Sequence, residues 1–253
     1  MTSDSGPTDS VPPSKPAENW VDRLVEAAPH APYVAPFATF LLLMFIGGYF
    51  GDEHRTAAYA LRTFGALAVA LVFWRHFPPL GKLHLGWAVL FGLAVAFGWV
   101  AGHKWFAGHD WYHYTQLSIL GKDPTPDQYY DPFARLGTGF ALWLFLIVRI
   151  GGASVVVPIV EEMFWRGFVL RIFINWDRFE TVPLGAFTWR SFLLCSLLSA
   201  AEHPMWEVGI ACWVVYNLLF YWKKSLLFLM VTHGITNFAL YVYVVWAHDW
   251  VFW

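Results

Sequence analysis

The apolar run from Leu136 to Ile174 constrains this chain more than any other stretch, because it carries charge and is too long for one straight crossing of a bilayer. A spanning helix needs about 20 mostly apolar residues at about 1.5 Å each. In lipid the backbone has to satisfy its own N–H and C=O groups, so such a run reads as helix. Gly151, Gly152 and Pro158 offer places to kink or turn. We read it as one long broken helix.

The rest of the chain repeats the theme. It is 58% hydrophobic and 13% charged, against roughly 25% charged in soluble domains. Apolar segments near 34–50, 56–74, 85–102, 136–157, 158–175, 189–203, 207–222 and 225–247 predict seven crossings if the fourth and fifth form one helix, and eight if they do not. The expected fold is an all-α, polytopic transmembrane helix bundle of about 7–8 spans enclosing a hydrophilic catalytic cavity. Three parts are expected: a disordered or interfacial N-terminal tail over 1–32, N-terminal transmembrane helices and a long aromatic loop over 33–135, and a catalytic core over 136–253. Residues 1–20 lack the basic and apolar regions of a signal peptide and read as an uncleaved tail. Trp20–Ala28 reads as a short interfacial helix.

Lys15, Arg23, Arg75, Lys82, Arg171, Arg178, Arg190, Lys223 and Lys224 fall on one side if the N-terminus is cytoplasmic, while Arg55, Lys104, Lys122 and Arg135 fall on the other. That bias predicts a cytoplasmic N-terminus. The net charge of −2 and the lack of a basic run give no footing for a nucleic-acid partner. The bilayer itself is the expected partner. Cys195 and Cys212 read as small buried hydrophobes. In the loop over 103–133, His109, Asp110 and His113 could hold a metal if helical, but packing in an aromatic belt is the favoured reading. Arg62 and Arg149 read as snorkelling cations or members of internal ion pairs.

Chemistry concentrates at three places. Glu161 and Glu162 sit with Arg166 inside the long apolar run, where ionisable groups are costly unless they pair, face water or carry function. At 100° per residue, Glu162 and Arg166 share a helix face and can pair, while Glu161 points elsewhere and stays free for proton transfer. His203 stands near a helix end before Pro204. His233 and Asn237, four apart, project from one face of an otherwise apolar helix, where interhelical hydrogen bonding is the alternative role. A free carboxylate, an imidazole and a His/Asn donor pair are the parts needed for attack of water on an amide. No GxSxG, HExxH or Cys/His pairing is present.

At these residues the chain resembles the family of CAAX prenyl proteases and bacteriocin-processing intramembrane proteases. EEMFWRG at 161–167 matches EExxxR, His203 is the histidine of the second motif, and HGITN at 233–237 matches HxxxN. Ser199 stands where the second motif usually has phenylalanine. EHPMWEVGI, YNLLFYW and the terminal DWVFW are similar to the CAAX-protease-related branch found beside exosortase systems in bacteria.

The resemblance implies an endopeptidase acting on a membrane-associated peptide or protein. Glu161 and His203 would activate water, His233 and Asn237 would stabilise the oxyanion, and Glu162 with Arg166 would brace the site. It leaves two mechanisms open, one without metal and one in which Glu161, His203 and His233 ligate a divalent ion such as zinc. A non-catalytic scaffold or immunity-type binding protein of the same fold, and a proton-coupled transporter, are the rival readings.

Overall fold

The computed structural model describes residues 19–113 and 129–253. The expected disordered tail, up to residue 18, and the middle of the long aromatic loop lie outside the described residues. Those described are helical with no strand among them, as the apolar patterning requires.

Helix α1 (Trp20–Ala27) begins at a capping box in which the Asn19 side chain accepts from the Val21 and Asp22 N–H groups and Asp22 accepts from Asn19. It meets α2 (Ala31–Gly47) at 98°. The right angle suits a helix lying along the interface beside one that enters it. Asp22 also lies 3.0 Å from His76 Nε2, tying α1 to the end of α3 (Arg55–Phe73). Then follow α4 (Leu85–Ala107) and the short α5 (Pro132–Leu136).

The long run becomes one continuous helix, α6 (Phe140–Ile172), roughly 50 Å long at 1.5 Å per residue. It does not break at its glycines or at Pro158. Instead the strain is absorbed by two π-helical stretches, Gly152–Val156 and Met163–Val169, on either side of the glutamate pair. Arg171 closes the helix by donating to the Gly167, Glu180 and Val182 carbonyls. Helices α7 (Trp189–Ala200), α8 (Trp206–Lys223) and α9 (Leu226–Ala247) complete the chain.

By length and apolarity, α3 with its terminal turn, α4, α6 and α9 are each able to cross a membrane, and the bent α1–α2 pair makes a fifth candidate. This is fewer than the expected seven or eight. The segment predicted at 189–203 forms a helix of only 12 residues, ending at Ala200, short of the length a crossing needs. Helix α8 carries Glu207 and Lys223 at its ends and several half-polar aromatics between them. The outer surface is apolar all the same: Phe97, Phe140 and Trp246 are 75%, 81% and 79% exposed. Exposure on that scale is unfavourable in water and neutral in lipid.

Helix α9 is the hub, packed against α4, α6 and α8. Two glycines let it close in. A Cβ at Gly92 would lie 2.7 Å from Ile235 Cγ2, and one at Gly234 would collide with the Ser154 carbonyl. Small residues at such crossings let backbones approach within side-chain distance.

Candidate active site

Pro158 sets the local geometry of the site. In the first π stretch the Val157 N–H bonds to the Gly152 carbonyl. In that register the donor for the Ala153 carbonyl would be residue 158, which as proline has no N–H. Asn237 supplies the missing bond, its Nδ2 donating to Ala153 O at 2.8 Å. The proline and the asparagine are therefore linked across two helices. One N–H of the Asn237 amide is committed to this bond, leaving its second donor for other use.

Glu162 is wholly buried and bridges two cations or donors. Its Oε2 lies 3.0 Å from Arg166 Nη1, the pairing expected at i and i+4, and its Oε1 lies 2.9 Å from His233 Nδ1. Arg166 in turn donates through Nε to Asn217 Oδ1 at 3.0 Å, and Asn217 donates to Ser196 Oγ at 2.9 Å. The guanidinium also covers the Trp213 ring at 4.2 Å. Burial of this carboxylate is tolerable because each of its oxygens has a partner carrying or able to carry positive charge.

Glu161 takes the other direction. It is buried, and its Oε2 lies 4.0 Å from His233 Nε2 with no hydrogen-bond partner among the described residues. It lines a cavity of about 310 Å³ together with Glu202, His203, His233 and Asn237. His203 occupies the turn between α7 and α8, its ring held between Trp99 at 5.5 Å and Trp213 at 6.0 Å. Its Nδ1 is also buried with no partner among the described residues. A buried polar atom without a hydrogen bond is costly, and here two of them belong to side chains lining one cavity.

Ser199, in place of the usual phenylalanine, turns its hydroxyl back to the Cys195 carbonyl of its own helix. Trp99 and Trp213 provide the aromatic packing on His203 instead. Below the same turn, Glu207 accepts from Tyr112 and lies 2.9 Å from His103 Nδ1. Trp99 and His103, one turn apart on α4, thus hold His203 and Glu207, also four residues apart.

All six residues singled out from the sequence meet in this region, with Glu162 and Arg166 behind the cavity and the other four lining it. Glu202, Trp213 and Asn217 were missed. An asparagine alone in an apolar helix is itself a signal, and Asn217 stands so within YNLLFYW. As for a divalent ion, no group of three or more His, Cys, Asp and Glu side chains converges as a metal site among the described residues. Glu161, His203 and His233 are accordingly not grouped as a three-ligand set among the described residues. His109 and His113 bond to the Trp105 and Ala107 carbonyls, as expected of the aromatic belt.

Residues 140–239 match the family model described as type II CAAX prenyl endopeptidase Rce1-like. No curated protein and no solved structure matches the chain.

Proposed function

On the footing that residues 140–239 carry the core of the CAAX-protease family, we propose that this multi-pass membrane protein is an intramembrane endopeptidase in which Glu161 is the general base. One observation carries the reading most directly. Glu161 Oε2 and His203 Nδ1 are both buried, neither makes a well-formed hydrogen bond among the described residues, and both belong to side chains lining one cavity. A single water bridging them would satisfy both and stand ready to attack.

In the proposed reaction the water oxygen adds to the scissile carbonyl carbon while Glu161 takes its proton. The carbonyl oxygen becomes an oxyanion, stabilised by His233 and by the free N–H of Asn237. Glu162, held ionised by Arg166, accepts from His233 Nδ1–H, so His233 can donate through Nε2 only as an imidazolium. That charge is stabilised by Glu162 and suits an oxyanion. Collapse of the intermediate breaks the C–N bond, and the proton on Glu161 passes to the leaving amine. His203 orients the water throughout.

We place the cleavage near the cytoplasmic face, with the N-terminus cytoplasmic and the protein in the bacterial inner membrane, on the basic residues that follow the glutamates. Whether the substrate is prenylated is left to experiment. Membrane proteomes are compared from cells carrying the native protein and cells carrying Glu161→Gln at equal abundance. Peptide termini found only with the native protein support the reading and identify the substrate. Identical termini, with full rescue of any phenotype by Glu161→Gln, would replace it with the scaffold reading.

A further inference from the structure

Beyond the catalytic groups, the cavity contains two arginines that have no acidic partner. Arg62 and Arg149 line it together with Tyr59, and all three also line a second cavity of about 380 Å³ that adjoins it. The Arg62 guanidinium carbon lies 4.2 Å from the Tyr59 ring centre and that of Arg149 lies 4.5 Å from the same centre. Arg149 also reaches the Tyr241 hydroxyl at 3.3 Å. Of the two roles expected, snorkelling or an internal ion pair, neither arginine forms the pair: among the described residues no carboxylate lies within ion-pair distance of either, and the Nε of each is buried without a hydrogen bond.

Cations removed from water are ordinarily paired, and two sharing one ring repel each other. A ring face is a weak substitute for a counter-ion. One anion placed between the two guanidiniums would neutralise both, and the arginine fork matches a carboxylate with two parallel bonds. The separation from the reacting centre follows from helix registry. His233, Asn237 and Tyr241 recur every four residues along α9 and touch Glu162, Ala153 and Arg149 of α6 in turn. From His233 to Tyr241 the axis advances about 12 Å, which an extended peptide covers in about four residues.

We propose that Arg62 and Arg149 form an anion site for a carboxylate of the peptide substrate, an acidic side chain or the chain's own C-terminus, about four residues from the cleaved bond. The proposal rests on the protease reading and deepens it by naming what the substrate carries.

The test reads binding without turnover. Glu161→Gln protein is immobilised in lipid nanodiscs and offered octapeptides randomised over apolar residues. One pool ends in a free carboxylate, one in an amide, and one in an amide with a single glutamate. At least one carboxylate-bearing pool is expected to be retained about tenfold or more over the plain amide, with the better pool naming the source. The preference should vanish when Arg62→Gln and Arg149→Gln are added. Benzoate, but not benzamide, should displace the retained peptides, a comparison that needs no arginine variant to fold. Equal retention of all pools, no retention of any, or a preference that survives in a folded double variant would each overturn the anion site. Failure of the protease reading would be recognised separately, by the absence of Glu161-dependent termini in the membrane proteome.

Discussion

At the scale of single residues, the two adjacent glutamates have opposite surroundings. Glu162 is held by Arg166 and His233, whereas one oxygen of Glu161 has no hydrogen-bond partner among the described residues. Removing the first strands a buried arginine. Glu162→Ala is therefore expected to lower stability by about 3–5 kcal/mol, read as thermal unfolding in detergent, whereas Glu161→Gln should leave the melting temperature within a degree or two and abolish cleavage. A large loss of stability in Glu161→Gln would mean that this carboxylate is structural. The split between the two acids was legible in the sequence because it follows from helix pitch alone. The ring of support was not, since Asn217 and Ser196 meet Arg166 only through the packing of α7 and α8 on α6, and no local pattern encodes which helices become neighbours. The bond from Asn237 to Ala153 was hidden for the same reason.

At the scale of the element, α6 is a helix whose irregularity is placed where the chemistry is. The sequence supplied two glycines and a proline, which read equally well as a break; the structure keeps the helix and shifts its hydrogen bonding. Pro158→Ala would return an N–H that can bond the Ala153 carbonyl in the π register, releasing Asn237 from that bond and letting its amide leave the cavity. We expect helix content to be preserved by circular dichroism while turnover falls at least tenfold. Unchanged turnover would show that the bond from Asn237 to Ala153 is incidental. On the neighbouring side, His103→Ala would leave Glu207 with Tyr112 as its one remaining hydrogen-bond partner. A cost of about 1–3 kcal/mol in unfolding experiments is expected, with turnover reduced because the turn carrying His203 loses one of its two holds.

At the scale of the molecule, the solvent decides the fold. Large apolar side chains on the outside and a charged cluster within are the reverse of a soluble protein. Phe97, 75% exposed on α4 and lining neither of the cavities described above, tests this. Phe97→Asp is expected to disfavour insertion by about 3–4 kcal/mol, read as the inserted fraction in a glycosylation-mapping assay, while Phe97→Leu should insert normally. Insertion of the aspartate variant at the native level would argue that this face is covered by protein. Hydropathy found the apolar segments, but among the described residues only four or five of the helices they form are long and apolar enough to cross, because a window average is blind to where a helix stops; α7 stops at Ala200, just before the turn bearing His203.

The indole of Trp99 that covers that histidine comes from α4, which lies before the matched span of 140–239 and carries none of the motif residues. Two chains with identical motifs could therefore differ in how firmly this imidazole is aimed, and a comparison confined to the motifs would record them as the same enzyme.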